Sequence, residues 1–580
     1  MLRKLAGCLR QYKKETILTV LCMVVEAGME ILIPFLISLF GKEVSKGNMT
    51  GVYTYGGLMI GAALVSLTAG MFGGKFCARA STGFAANMRH DMFVNIQSFS
   101  FSNIDKFSSG SLVTRLTTDV TNVQFAFMML IRMAIRSPLM LIFSIIMSFA
   151  VDTTLPLVFF ITIPLLAGTL IAVSFIAFPI FRRLFKRYDA LNNSVEENIK
   201  GMRVVKAYTR EEYETKKFTT VSNDLRREFT RVERILALNG PVMQLCMYGA
   251  LIAVVGIGAN LILNGSSPLS YTDLQALIMY SFQILMSLMM VSMIFVMVIM
   301  SLESGRRIVE VLDEKSDLTN PENPVTEVKN GDVSFKGVSF KYSSEADRNA
   351  LDDVTLDIKS GETVGILGAT GSSKTTLVNL ISRLYDVTEG EVRVGDVDVR
   401  QYDLDTLRKK VAVVLQKNTL FSGTIKDNLR WGNPDATDEQ LVEACKLAQA
   451  DEFITQFPDG YDTKIEQGGT NVSGGQRQRL CIARALLTDP KVLILDDSTS
   501  AVDMKTDAKL RKAFKDFIPD TTKIIIAQRV ASVQESDKII IMDNGRIHAV
   551  GTHDELLASD PIYQEVYYTQ NRQYAQGGNQ

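Results

Sequence analysis

Six apolar runs, at 17–40, 55–77, 133–151, 155–178, 241–263 and 274–302, decide most of what this chain can fold into. Each is near the ~20 residues that cross a bilayer. A backbone in lipid must satisfy its own N–H and C=O groups, so each run is expected to be a membrane helix. All of them precede residue 303 of 580, so the 47% hydrophobic content averages a part fitted to lipid and a part fitted to water. The stretches 79–132 and 182–234 are rich in Lys and Arg, whereas 151–155 and 264–271 carry neither. That asymmetry places both ends of the chain in the cytoplasm. Only Lys42 and Lys46 run against it. Residues 1–15 mix Arg3, Lys4, Arg10, Lys13 and Lys14 with Leu2, Leu5, Leu9 and Tyr12, which predicts an interfacial elbow helix, not a cleaved signal.

The two basic inner connections are too long for loops, and their helical patterning predicts membrane helices that continue into the cytosol and turn over through short crossing helices at 101–107 and 207–211. Past residue 312 the chain turns polar and irregular (Asp313, Glu314, Lys315, Asn320, Pro321, Asn323, Pro324), which marks a linker over 313–330. From 331 to 580, strand-like alternation gives way to strand–helix units, the pattern of an α/β domain with a partly parallel sheet. The fold class is thus an all-α polytopic membrane domain, 1–312, followed by an α/β phosphate-loop domain. A net charge of −1 supplies no basic surplus for nucleic acid. The six Cys, scattered and without metal-ligand spacing, read as reduced thiols.

Three strings carry chemistry. The strand-like Glu362–Leu367 runs into Gly368, Ala369, Thr370, Gly371, Ser372, Ser373, Lys374, Thr375 and Thr376 at the start of a helix. This resembles the phosphate loop, in which backbone N–H groups cradle phosphates, the lysine meets the β/γ oxygens and the hydroxyl of Thr375 ligates Mg²⁺. The residue before the lysine is Ser373 where glycine is usual, which strains the loop if φ there is positive. An apolar strand, 491–495, ends in Asp496, fitted to hold Mg²⁺ through water, and Asp497, at the position of the base that orients the attacking water. The third string, Val472-Ser473-Gly474-Gly475-Gln476, resembles the signature sequence of ATP-binding-cassette (ABC) proteins.

With six spans ahead of one cassette, essentially the whole chain resembles a half-transporter of the type IV ABC exporter class. The resemblance implies ATP and Mg²⁺ as cofactors. It gives adenine stacking to Tyr342, sensing of Mg²⁺ and of the membrane domain to Gln416, a loop crossing to the other subunit to Ser500–Asp503, and coupling to 200–211 and to the first crossing segment, which 107–116 follows. It also implies that Val472 to Gln476 serve the other subunit's nucleotide. The family pattern has Glu where this chain has Asp497, His where it has Gln528, and charged residues where it has Gln467 and Gly468. A shorter carboxylate loses reach toward water, and a neutral amide is no cationic donor.

Weakened catalytic residues beside a kept signature imply the degenerate-site subunit of a heterodimer in a bacterial plasma membrane, whose partner carries the Glu and the His. A slow homodimer, or an ATP-gated channel or regulator, are the alternatives. Cargo is expected to be small and amphipathic. Glu26 and Glu30, one turn apart in the first span, are candidate cargo contacts, since carboxylates are costly in lipid. The methionine-rich last span (Met279, Met286, Met289, Met290, Met293, Met297, Met300) fits either an adaptable apolar pocket or ordinary span filler.

Overall fold

A computed structural model describes residues 1–264, 269–343, 346–497 and 502–577. Its contacts divide the chain into one unit of residues 1–97 and 108–314 and another of 98–107 and 315–580.

The first unit is helical, and among the described residues six helices are long and apolar enough to cross a membrane. Met49–Gln97 has 49 residues. At 1.5 Å per residue such a helix is about 74 Å long, more than twice the ~30 Å of hydrocarbon, so much of it extends beyond the lipid. The second long helix approaches the first where Gly73 leaves room for Met23, and the turn ahead of the first where Gly83 leaves room for the ring of Tyr12. The third and last are tied by buried polar groups: Asp119, wholly buried, accepts from Ser304 Oγ at 2.8 Å and Arg307 Nη2 at 2.6 Å. Asp119 closes a π-helical turn, Arg115–Asp119, that interrupts the third helix. Near the other end of the last helix, Asp273 meets Lys42 at 3.0 Å.

Two helical elements depart from the sequence expectation. The N-terminal helix is only Leu2–Gly7; Arg10–Tyr12 is a tight 3-10 turn and the first spanning helix already begins at Lys13, so no single elbow covers 1–15. The second short crossing helix is Met202–Ala207, and 208–210, with Thr209 at φ 50°, form the corner after it rather than the helix itself. The first, Phe101–Lys106, lies within the predicted 101–107 and is capped by Ser100, which exchanges hydrogen bonds with Asn103. Residues 98–107 group with the second unit.

That unit holds a six-stranded sheet in the order Arg546–Gly551, Lys538–Asp543, Thr363–Gly368, Thr522–Ile526, Val492–Asp496, Val411–Val414, parallel except for the first strand. The central strands are apolar runs with both faces covered, as parallel sheets require. An antiparallel sheet (Leu351–Ile358, Val333–Phe340, Glu389–Val394, Val397–Asp398) supplies a second layer. In the parallel sheet Ile526 pairs with both Ile366 and Asp496, so Gly368, Asp497 and Gln528 emerge at the same edge. The carboxyl edge of a parallel sheet is where α/β proteins place ligands.

Candidate nucleotide site

The strand Thr363–Gly368 ends where a Cβ on Gly368 would land against the Met542 carbonyl, so the turn into the helix Lys374–Ile381 can pass only as glycine. Ser373, the residue before that helix, sits at φ 72°, ψ 22°. The condition under which serine is strained is therefore present, at a cost of about 1–2 kcal/mol for a non-glycine residue. Lys374 Nζ is folded into the loop, donating to the Gly368 carbonyl at 2.8 Å, the Ala369 carbonyl at 2.7 Å and Ser372 Oγ at 3.2 Å. Burial lowers its pKa, while Asp496 and Asp497 oppose that shift. Thr370 and Gly371 are exposed at the tip of the loop.

Thr375 Oγ1 donates to Asp496 Oδ2 at 2.9 Å, so the two oxygen donors expected around Mg²⁺ meet across 121 positions of sequence. Burial raises the Asp496 pKa, and the adjacent charge of Asp497 pushes the same way. Asp497 itself is at φ 47° and also raised by burial. Its Oδ2 accepts from Gln528 Nε2 at 3.0 Å and from Gln416 Nε2 at 3.5 Å. The three positions that the sequence marked for catalysis thus converge on one carboxylate oxygen, and two neutral amides hold it.

Tyr342 stands half exposed, its hydroxyl 2.9 Å from Thr376 Oγ1 and its ring edge-on to Tyr385 at 5.2 Å. Tyr385, which sequence reasoning missed, donates to Asp105 Oδ2 at 2.8 Å and packs against Phe101, both on the first crossing helix. It connects the expected base-stacking tyrosine with the segment expected to couple.

Ser473 caps the helix Gly474–Leu486, its Oγ accepting from the Gln476 N–H at 3.2 Å while Gln476 Oε1 accepts from the Ser473 N–H at 2.9 Å. Val472 is buried beneath. This box closes on itself, with Gly474 exposed and Gly475 half-buried on the first turn, where backbone N–H groups have no intrahelical partner. Asp503 caps the next helix by accepting from the Thr506 N–H at 3.0 Å, a bond that helps keep its pKa low; Ser500 and Ala501 lie outside the described residues. Gln467–Gly469 form a turn with φ of 74° at Gly468 and 67° at Gly469. Here glycine serves backbone shape at a position where a charged side chain would be strained.

In the membrane unit, Glu30 Oε2 accepts from Arg136 Nη2 at 2.6 Å, and Glu26 lies 3.9 Å from the same nitrogen. Gln283 donates to the Glu30 carbonyl at 3.3 Å and accepts from Ser144 at 2.9 Å. Arg136 was also missed, although a lone guanidinium inside the third apolar run is signal enough.

Residues 16–289 match the model of the ABC transporter transmembrane region and residues 351–500 that of the ABC transporter. The chain is 36% identical over 570 residues to the uncharacterized ABC transporter ATP-binding protein YfiB of Bacillus subtilis (strain 168), covering 98% of each. It is 34% identical to the uncharacterized ABC transporter ATP-binding protein Rv1273c of Mycobacterium tuberculosis (strain ATCC 25618 / H37Rv), again covering 98% of each. The fold matches a bacterial Atm1-family ABC exporter with ATP bound, with a TM-score of 0.84 at 20% identity over 96% of this chain and 99% of that one.

Proposed function

The chain belongs to the ABC transporter family, and from that premise we propose that it is the ATP-retaining half of an exporter whose hydrolysis proceeds mainly at a partner's site. The observation that carries this reading is the Asp497 carboxylate, one methylene shorter than glutamate and bound through Oδ2 by Gln528 and Gln416. A base so held is short of the water it should orient, and neither amide brings the positive charge that stabilises a transferring phosphoryl group.

Mg²⁺ fits Thr375 and Asp496: a hydroxyl and a carboxylate are the hard oxygen donors it takes, the remainder coming from nucleotide phosphates and water. Mg²⁺ would screen the phosphate charge there. Lys374 then exchanges its loop carbonyls for phosphate oxygens, Tyr342 offers its exposed face to adenine, and Gly474 and Gly475 present their amides to the nucleotide of the second subunit. Closure of two cassettes on ATP opens the membrane half outward, and hydrolysis at the partner's site, which supplies the Glu and the His, resets it. Cargo is small and amphipathic, with Glu26 and Glu30 among its contacts, and the setting is a bacterial plasma membrane with the cassette in the cytoplasm.

The test is co-purification of the chain with the half-transporter encoded beside it, followed by ATP-driven dye uptake into inverted vesicles. Uptake that needs both chains supports the proposal. Full uptake and brisk hydrolysis by this chain alone overturn the division of labour, and no uptake with ATP bound overturns export.

A further inference from the structure

Between the first two spanning helices lies an open cavity of about 570 Å³ lined by Glu26, Glu30, Ile33, Ser66, Leu67 and Met71, with Leu67 59% and Met71 68% exposed. Its walls are apolar apart from the two carboxylates and a hydroxyl, and its charges do not balance. Among the described residues Arg136 is the one cation within ion-pair distance of either acid, and it is committed to Glu30, at 2.6 Å against 3.9 Å for Glu26. Glu26 Oε2 is buried with no hydrogen-bond partner, and its carboxylate lies against Gly70, where a Cβ would sit 3.4 Å from it. Two carboxylates and one guanidinium leave one negative charge in a span where uncompensated charge is expensive.

We propose that this cavity is a binding site for amphipathic molecules bearing a single positive charge, with Glu26 as the counterion, the Arg136–Glu30 pair setting the site's net charge at minus one, and Ile33, Leu67 and Met71 taking the apolar body. Arg136 is then the residue that sets charge selectivity: it cancels Glu30 and so discriminates against dications. The ligand class deepens the export reading, but binding at the cavity does not depend on transport.

The experiment uses the full chain, with any subunit that co-purifies, in nanodiscs without ATP, and measures binding of ethidium (one charge), propidium (two) and Nile red (none) by fluorescence. Ethidium should bind best. Glu26→Gln should weaken ethidium roughly tenfold or more, as expected for deleting one partner of a desolvated charge pair, while Glu26→Asp, which keeps the charge, should restore most of the affinity. Arg136→Gln should shift preference from ethidium toward propidium, a change that general misfolding would not produce. Equal binding of the three dyes, ethidium affinity indifferent to Glu26→Gln, or an unchanged preference in Arg136→Gln overturns the site. ATP-driven dye uptake that persists in Glu26→Gln sinks the site and keeps export. Charge-selective binding without uptake keeps the site and sinks export.

Discussion

Lengthening Asp497 to glutamate tests the catalytic reading through a single methylene. The substitution extends the carboxylate by about 1.5 Å, and misplacement of a reacting group by about 1 Å costs on the order of 10²-fold, or roughly 2.7 kcal/mol at 1.36 kcal/mol per decade. Against that gain stands the bond from Gln528 Nε2, which must break for the carboxylate to advance; a hydrogen bond to a charged group contributes roughly 1.5–3 kcal/mol. Taking the lower figure leaves about 1.2 kcal/mol, so Asp497→Glu alone should raise steady-state phosphate release roughly tenfold. The double variant Asp497→Glu/Gln528→His removes the opposing bond and adds a cationic donor, and should exceed the product of the single effects because the two side chains touch. The assay is phosphate release by the purified protein in nanodiscs, with the partner's catalytic glutamate changed to glutamine where a partner is present. If Asp497→Glu stays within twofold of the parent while Asp497→Asn loses two orders of magnitude, Asp497 is already a competent base and the reasoning fails.

Three further outcomes are expected. Ser373→Gly should relieve the strain at φ 72°, stabilising the nucleotide-free cassette by about 1 kcal/mol; an unchanged or lower melting temperature would contradict that. Tyr385→Phe, which deletes the bond to Asp105, should leave ATP affinity within twofold while cutting dye-stimulated ATPase several-fold, and equal stimulation in both proteins would remove Tyr385 from coupling. Because burial raises the Asp496 pKa, the nucleotide-free carboxylate takes up its proton at higher pH than the ordinary value of about 3.9. Mg²⁺ requires the deprotonated form, so Mg-ATP affinity should fall on acidification from above that value and ATP affinity in EDTA should not; calorimetric titrations through the acid range would show parallel curves if this were wrong.

How much of this was legible in the sequence depended on the reach of the interaction. The spans and the phosphate loop were readable because each is one contiguous run whose physics is local. Even the strain at Ser373 could be stated conditionally, since φ follows from the turn that joins a strand to a helix. Partners far apart in sequence were not readable: Tyr385 and Asp105 lie 280 positions apart, and Arg136 and Glu30 lie 106 apart. No periodicity links such pairs, and only the fold brings them together. The misplaced second crossing helix has a smaller cause. Gly201 and Thr209 both break helices, and the helix fills the interval between them, upstream of the predicted 207–211. The convergence of Gln416, Asp497 and Gln528 on one oxygen is intermediate, because strand order is needed to align three loops that the motifs identify singly.

The proposed division of labour has this chain hold ATP while its partner hydrolyses it. The direct measurement loads the purified transporter with ATP labelled at the γ-phosphate, strips free nucleotide, lets it turn over, and identifies what remains bound, with Lys374→Ala assigning the signal to this chain's loop. Intact ATP should be retained at the Lys374 site, and lost in the Lys374→Ala protein, after the other site has converted its nucleotide to ADP. ADP alone at the Lys374 site, formed as fast as at the other, would contradict it.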